Sequence, residues 1–221
     1  MKKDIVLQKD VNDELAWDPS VEAKNIGVGV KDGVVTLTGS VLTYSEKFAA
    51  EKAVRRIDGV RGIAEELSVD LLGEHMRNDS DITAAVANAL DWNARIPKGS
   101  VTCLVEGGIV VLGGVVDWNY QRILASKSVR HILGIKGVNN QIVVRVKPAD
   151  ASQIKGKIAD ALKRLAMEDS LSIQVEADKG KVVLRGTVHS WTELDQVSRT
   201  AWSAPGVVEV ENDLVVAYRG K

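Results

Sequence analysis

Trp118, Tyr120 and Arg122 fall within five residues of one another, directly after the strand-like run Val111-Leu-Gly-Gly-Val-Val116, in a chain with three Tyr and one Phe. Two aromatic rings beside a guanidinium suit one of two tasks. They can fill a joint between packed elements, or they can be presented to a partner, with the rings at an apolar boundary and the cation facing an anion. Lys127 and Arg130 continue the same segment. These five residues, Trp118, Tyr120, Arg122, Lys127 and Arg130, form the candidate contact set for an anionic phospholipid surface or a protein partner. The competing reading buries Trp118 against a neighbouring repeat and leaves Lys127 as a solvated helix position.

Other chemistry finds little footing. His75, His131 and His189 lie outside any metal-ligand spacing, and His189 beside Asp195 is at most half a dyad at a strand-helix junction. No zinc-protease motif, nucleophile elbow or dinucleotide fingerprint is present. Gly113-Gly114 lacks the spacing and the following Lys-Ser/Thr of a phosphate loop. Cys103 is the single cysteine, which excludes an intrachain disulfide and a cysteine-cluster zinc site. It stands where Val28 and Val175 stand in matching segments and reads as a small core residue. The expectation is a non-enzymatic protein with neither cofactor nor metal.

The formal net charge is -1 over 221 residues, so no global field draws the chain to nucleic acid or membrane. Charge is nevertheless uneven. Residues 73–147 hold nine Lys and Arg against six Asp and Glu, whereas residues 1–72 hold ten against thirteen, and 148–221 ten against eleven. At about 1 kcal/mol per basic residue near an anionic surface, the middle segment's excess is worth only about 3 kcal/mol. Aromatic insertion or several copies acting together would have to supply the rest.

The elements that carry these residues come in three copies. Gly33-VVTLTGSV, Gly108-IVVLGGVV and Gly180-KVVLRGTV share Gly, Val, Leu, Gly and Val at the same offsets, 75 and then 72 residues apart. Leu15, Leu90 and Leu162 precede Gly39, Gly114 and Gly186 by one common interval, and Gly59, Gly134 and Gly206 follow by another. In each copy, apolar residues at i, i+4 spacing (Val11/Leu15, Ile82/Val86/Leu90, Ile154/Ile158/Leu162) predict an opening helix. Period-two alternation on both sides of Asp32-Gly33, Gly107-Gly108 and Asp178-Lys179-Gly180 predicts a β-hairpin. Thr43-x-x-Glu46 and Ser190-x-x-Glu193 announce a second helix as capping boxes. The middle copy has Trp118 in place of the hydroxyl, so Asp117 is expected to cap. A third strand follows at 63–69, 138–146 and 210–216, and Ser80 and Ser152 are expected to begin the second and third units. Trp17 and Trp92, at equivalent positions, are expected to pack against the following strand; Trp191 and Trp202 are placed at the end of the array.

The predicted fold class is α+β: three tandem helix-strand-strand-helix-strand units over residues 1–72, 76–147 and 150–218, each a three-stranded mixed sheet with both helices on one face. Gly33, Gly108 and Gly180 are assigned to the hairpin turns, and Gly39, Gly114 and Gly186 to close approaches or bulges on the second strand.

The segments "AWDPSV", "IGVGVKDGVVTLTGSV" and "AVRRIDGVRGI", with a closing strand, resemble the BON domain family in all three copies and over nearly the whole chain. The resemblance implies the same fold, association with osmotic stress and the bacterial envelope, and binding of phospholipid surfaces or envelope proteins, with no catalytic motif. Protein-protein adaptor or self-assembling structural module is the alternative function. RNA binding through Gly59-VR-Gly62 and Gly134-IK-Gly137 ranks third and is disfavoured, because the third copy reads Gly206-VV-Glu209. No signal sequence or membrane-spanning run is visible, so the sequence as given reads as cytoplasmic, and as periplasmic if a leader was removed. Oligomeric state is left open.

Overall fold

A computed structural model describes residues 3–73, 76–145, 151–164 and 173–217. Parts of the two joins between repeats, at 74–75 and 146–150, and His75 lie outside the described residues. The chain divides into two compact units: residues 1–114 with 123–142, and residues 115–122 with 143–221. The middle repeat thus contributes to both.

The first repeat opens with α1 (Asp4–Trp17), which buries Leu7, Val11 and Leu15 along one stripe. The hairpin β1 (Ile26–Lys31) and β2 (Val34–Val41), the helix α2 (Tyr44–Arg55) and the strand β3 (Gly62–Val69) follow. Strand β2 lies in the middle, antiparallel to β1 and parallel to β3. Alternation puts Val35, Leu37 and Val41 into the core with Ala50, Ala53 and Val54 of α2, while Gly27, Gly29 and Thr38 stay on the open face. The helices therefore cover one side of the sheet. Thr43 accepts from the Glu46 amide at 3.1 Å. The Glu46 carboxylate reaches past the cap to Leu42 N–H (2.9 Å) and Glu22 N–H (2.8 Å), tying the helix start to the loop before β1.

The second repeat carries α3 (Asp79–Asp91), β4 (Val101–Glu106), β5 (Ile109–Val116), α4 (Asn119–Val129), β6 (Gly137–Asn140) and β7 (Val143–Val144). Ser80 does not begin α3: Asn78 is its cap, accepting from Asp81 N–H at 2.8 Å, and Ser80 sits in the first turn. The third strand, expected to run unbroken from 138 to 146, is split. Asn140 Oδ1 accepts from the Ile142 amide at 3.2 Å between β6 and β7, but Glu65 and Asn212 make the same bond inside the unbroken third strands of the other repeats, at 62–69 and 209–216, and both β6 and β7 remain parallel to β5.

The third repeat has α5 (Ala151–Arg164), β8 (Gln174–Asp178), β9 (Lys181–Val188), α6 (Trp191–Trp202) and β10 (Glu209–Val216), with β9 central. Ile154, Ile158 and Leu162 of α5 join Val182, Leu184, Val188, Val197 and Ala201 in one core cluster. Ser152 is the second residue of α5, and the residues before Ala151 lie outside the described ones. Register is identical across the copies: Val28 faces Leu37, Cys103 faces Leu112 and Val175 faces Leu184. Cys103 is half-buried, and that burial pushes its thiol pKa up.

Candidate contact surfaces

In the second compact unit, Trp118 is 37% exposed and Tyr120 53% exposed. Arg122 does not point to solvent as a lone cation. Its guanidinium lies over the Trp202 ring, 4.8 Å from the centroid, and burial lowers its pKa. The start of α4 is closed by Gln121, whose Oε1 accepts from Asp117 N–H (3.1 Å) and Trp118 N–H (3.0 Å). Gln121 occupies the position of Glu46 and Glu193. Gln121 thus makes the bond to the residue before the helix that Glu46 makes to Leu42 N–H and Glu193 to His189 N–H, and the Asp117 carboxylate lies 3.6 Å from Arg145 Nε.

In the first compact unit, Lys127 is exposed, as are its equivalents Lys52 and, in the second unit, Arg199. Arg130 packs flat on Phe48, with Cζ 3.3 Å from the ring centroid, and desolvation lowers its pKa. Beside it the Ser45 hydroxyl donates to the Arg130 carbonyl at 3.2 Å and lies 2.7 Å from His131 Nδ1. The five residues expected to form one surface are therefore divided. Trp118, Tyr120 and Arg122 belong to one unit and Lys127 and Arg130 to the other, and both guanidiniums are stacked on aromatic rings.

Two residues stand out that the sequence reading set aside. Trp17 and Trp92 were expected to pack on the following strand, yet they are 84% and 87% exposed. Each follows the core stripe of its helix by two residues, Leu15 then Trp17 and Leu90 then Trp92, a rotation of about 200° that carries the indole to the solvent side. Helical phase was the signal that could have found them. Their surroundings differ. Trp92 shares an exposed loop with Arg95 and Lys98, whereas Trp17 borders a shallow depression with Asp10, Asp13, Glu14 and Arg56. Arg56 there bonds both Glu14 and Asp18, and hydrogen bonds from Ser20 and then Arg56 hold the Asp18 carboxyl below its ordinary value.

The G-x-x-G segments are occupied by the fold. Arg61, Lys136 and Val208 donate their amides to the carbonyls of the hairpin glycines Gly33, Gly108 and Gly180 at 2.8, 2.9 and 2.9 Å. The hairpin amides in turn meet an internal carboxylate in two copies. Asp4 accepts from Asp32 and Gly33, and Asp79 from Gly107 and Gly108. These loops do not present amides for a phosphodiester backbone. At Gly39 and Gly114, φ is +108° and +116°, and an added Cβ would lie 2.1 Å from Asn25 O and 2.2 Å from Ser100 O. The hairpin glycines Gly33, Gly108 and Gly180, and Gly186 on β9, also have positive φ.

The open sheet faces differ between copies. In the third, Lys181 pairs with Glu209 and Glu211, and Arg185 with Glu176 and Asp213. In the second, Leu104 and Ile109 are exposed. Among the described residues there is no cluster of three or more His, Cys, Asp or Glu suited to a metal, and no helix is long and apolar enough to cross a membrane.

Comparison with known proteins follows the same threefold division. The chain is 29% identical over 189 residues to osmotically-inducible protein Y of Escherichia coli (strain K12), covering 81% of this chain and 92% of that protein. Among solved structures it resembles CdsD, a structural protein of the type III secretion system of Chlamydia trachomatis, at 16% identity and a TM-score of 0.27, covering 97% of this chain and 93% of that one. It also resembles the periplasmic domain of PrgH at 13% identity and a TM-score of 0.23, covering 93% and 98%. The BON domain profile matches residues 3–70, 78–146 and 150–218, and the chain belongs to the BON domain family, in three consecutive copies.

Proposed function

We propose that this chain is a non-enzymatic binding protein of the bacterial envelope, acting in osmotic or envelope stress, that touches anionic phospholipid weakly through its second repeat. The likeness to an osmotically-inducible protein supports the stress setting. The lipid contact rests on one observation: Trp92 is 87% exposed in a loop that also exposes Arg95 and Lys98. An indole with cations beside it suits the headgroup boundary, where the ring is buried and the charges meet phosphate. Trp118 and Tyr120, in the other unit, remain partly exposed, while Arg122 and Arg130 hold packed positions. A second reading, docking of a basic protein segment, is favoured at Trp17, which shares a depression with Asp10, Asp13 and Glu14, the last bonded to Arg56.

Co-flotation with vesicles tests the lipid reading. Binding to phosphatidylglycerol-containing vesicles at low salt, lost at high salt, absent from neutral vesicles and lost in Trp92→Ala, is the expected outcome. Equal flotation of wild type and Trp92→Ala, or none at any salt, would overturn it.

A further inference from the structure

We propose that the hairpin turn of the third repeat is a binding site for a carboxylate supplied from outside the chain, held by the amides of Lys179 and Gly180. Three turns of one design carry the argument. Each has two central residues, closed by Lys31 and Val34, by Glu106 and Ile109, or by Asp178 and Lys181. In each, both central residues have positive φ: +51° and +78°, +57° and +82°, +44° and +87°. That backbone aims two successive N–H groups to one side, where a single pair of oxygens can accept both. In the first two repeats a carboxylate of the chain does so. Asp4 takes the amides of Asp32 and Gly33 at 2.8 and 3.1 Å, and Asp79 takes those of Gly107 and Gly108 at 2.8 and 2.9 Å. Both acids stand in the first turn of the helix that opens their repeat, three residues before the first buried residue of its stripe, Leu7 or Ile82.

The third repeat keeps the turn and lacks the acid. Three residues before Ile154, the counterpart of Leu7 and Ile82, stands Ala151, half-buried like Asp4 and Asp79. Its methyl group accepts nothing, and among the described residues no side chain accepts from Lys179 or Gly180 N–H. Exposure of the turn is unchanged, since the first central residue is exposed and the glycine buried in all three copies. Charge changes in the direction an external anion requires. Asp4, Gln8 and Asp32 of the first repeat correspond to Ala151, Lys155 and Lys179 of the third, so two acids and an amide become an alanine and two lysines. Asp178 does not replace the lost acid. Alternation sets it with Glu176 on the open face of the sheet, opposite the core that Val175 and Ala177 face. Two amide donors with a cation beside them match the paired oxygens and the charge of a carboxylate. Its source is a free carboxylate anion or an acidic side chain of a partner protein.

Two-dimensional amide NMR of the isotopically labelled full chain tests this. Sodium acetate is titrated against sodium chloride at matched ionic strength and neutral pH, and a capped peptide bearing a single aspartate is titrated separately. The Lys179 and Gly180 amides are expected to shift with acetate along a saturating curve, while those of Asp32, Gly33, Gly107 and Gly108, already bonded, stay in place. Ala151→Asp supplies the acid from within the chain and is expected to weaken acetate binding by about tenfold or more. Lys179→Gly keeps the turn, as Gly107 does in the second repeat, and removes only the charge; it is expected to raise the acetate dissociation constant about two- to fivefold. Tighter binding of the peptide than of acetate supports the site with a protein side chain as its source, and acetate binding without a gain from the peptide supports it with a free carboxylate. Lys179 and Gly180 amides that do not move, that move equally with chloride, or that respond undiminished in Ala151→Asp would each overturn the proposal. The same spectra report whether each variant is folded, and Trp92 takes no part in the site, which separates this result from the lipid test.

Discussion

Gly114, like Gly39, is a residue at which a single methyl group does harm. Its φ of +116° disfavours any L side chain, and a Cβ there would overlap the Ser100 carbonyl. Gly114→Ala is expected to cost about 2 kcal/mol or more, read as a lowered urea midpoint. Gly156, in α5 with nothing within 4 Å of its virtual Cβ, is expected to behave oppositely, Gly156→Ala gaining about 0.5–1 kcal/mol. The recurrence of Gly39, Gly114 and Gly186 in the repeat exposed such positions in the sequence, because a helix-strand period gives no reason to keep glycine mid-strand. The exposure of Trp17 and Trp92 went unread for the converse reason. Recurrence suggests packing, whereas their phase on the helix sets them away from the stripe of Leu15 and Leu90.

At the level of elements, the start of α4 keeps one half of the arrangement seen in its counterparts. Thr43 and Ser190 cap their helices with a hydroxyl where the middle copy has Trp118, but Gln121, like Glu46 and Glu193, still holds amides of the residues before the helix, two of them. Gln121→Ala is expected to destabilise by about 1–2 kcal/mol in chemical denaturation, and Gln121→Glu to retain most of that, since either side chain supplies the acceptor oxygen. The helices, hairpins and their register were legible from periodicity and from Gly-containing turns. The break between β6 and β7 was not, and nothing in the structure explains it, since Asn212 bonds Leu214 as Asn140 bonds Ile142 yet lies within unbroken β10. The cap of α3 was displaced because Asn78 and Ser80 are both capable acceptors, and only folding decides which serves.

For the whole molecule, the threefold repeat was visible because spacing alone carries it, and it led directly to the BON family. The contact set was less visible. Adjacency in sequence gathered Trp118, Tyr120, Arg122, Lys127 and Arg130, but folding sends the two guanidiniums onto Trp202 and Phe48, partners distant in the chain. What the chain presents outward is instead set by where each helix ends and which charges the loop after it carries. Anionic lipid is accordingly expected to engage Trp92, near Arg95 and Lys98, and not Trp17 among Asp10, Asp13 and Glu14. The most direct test is tryptophan emission on adding phosphatidylglycerol vesicles at low salt to the wild type, Trp92→Phe and Trp17→Phe. A blue shift in the wild type and in Trp17→Phe that disappears in Trp92→Phe is the result this account predicts. A shift that survives in Trp92→Phe, or no shift in the wild type, would contradict it.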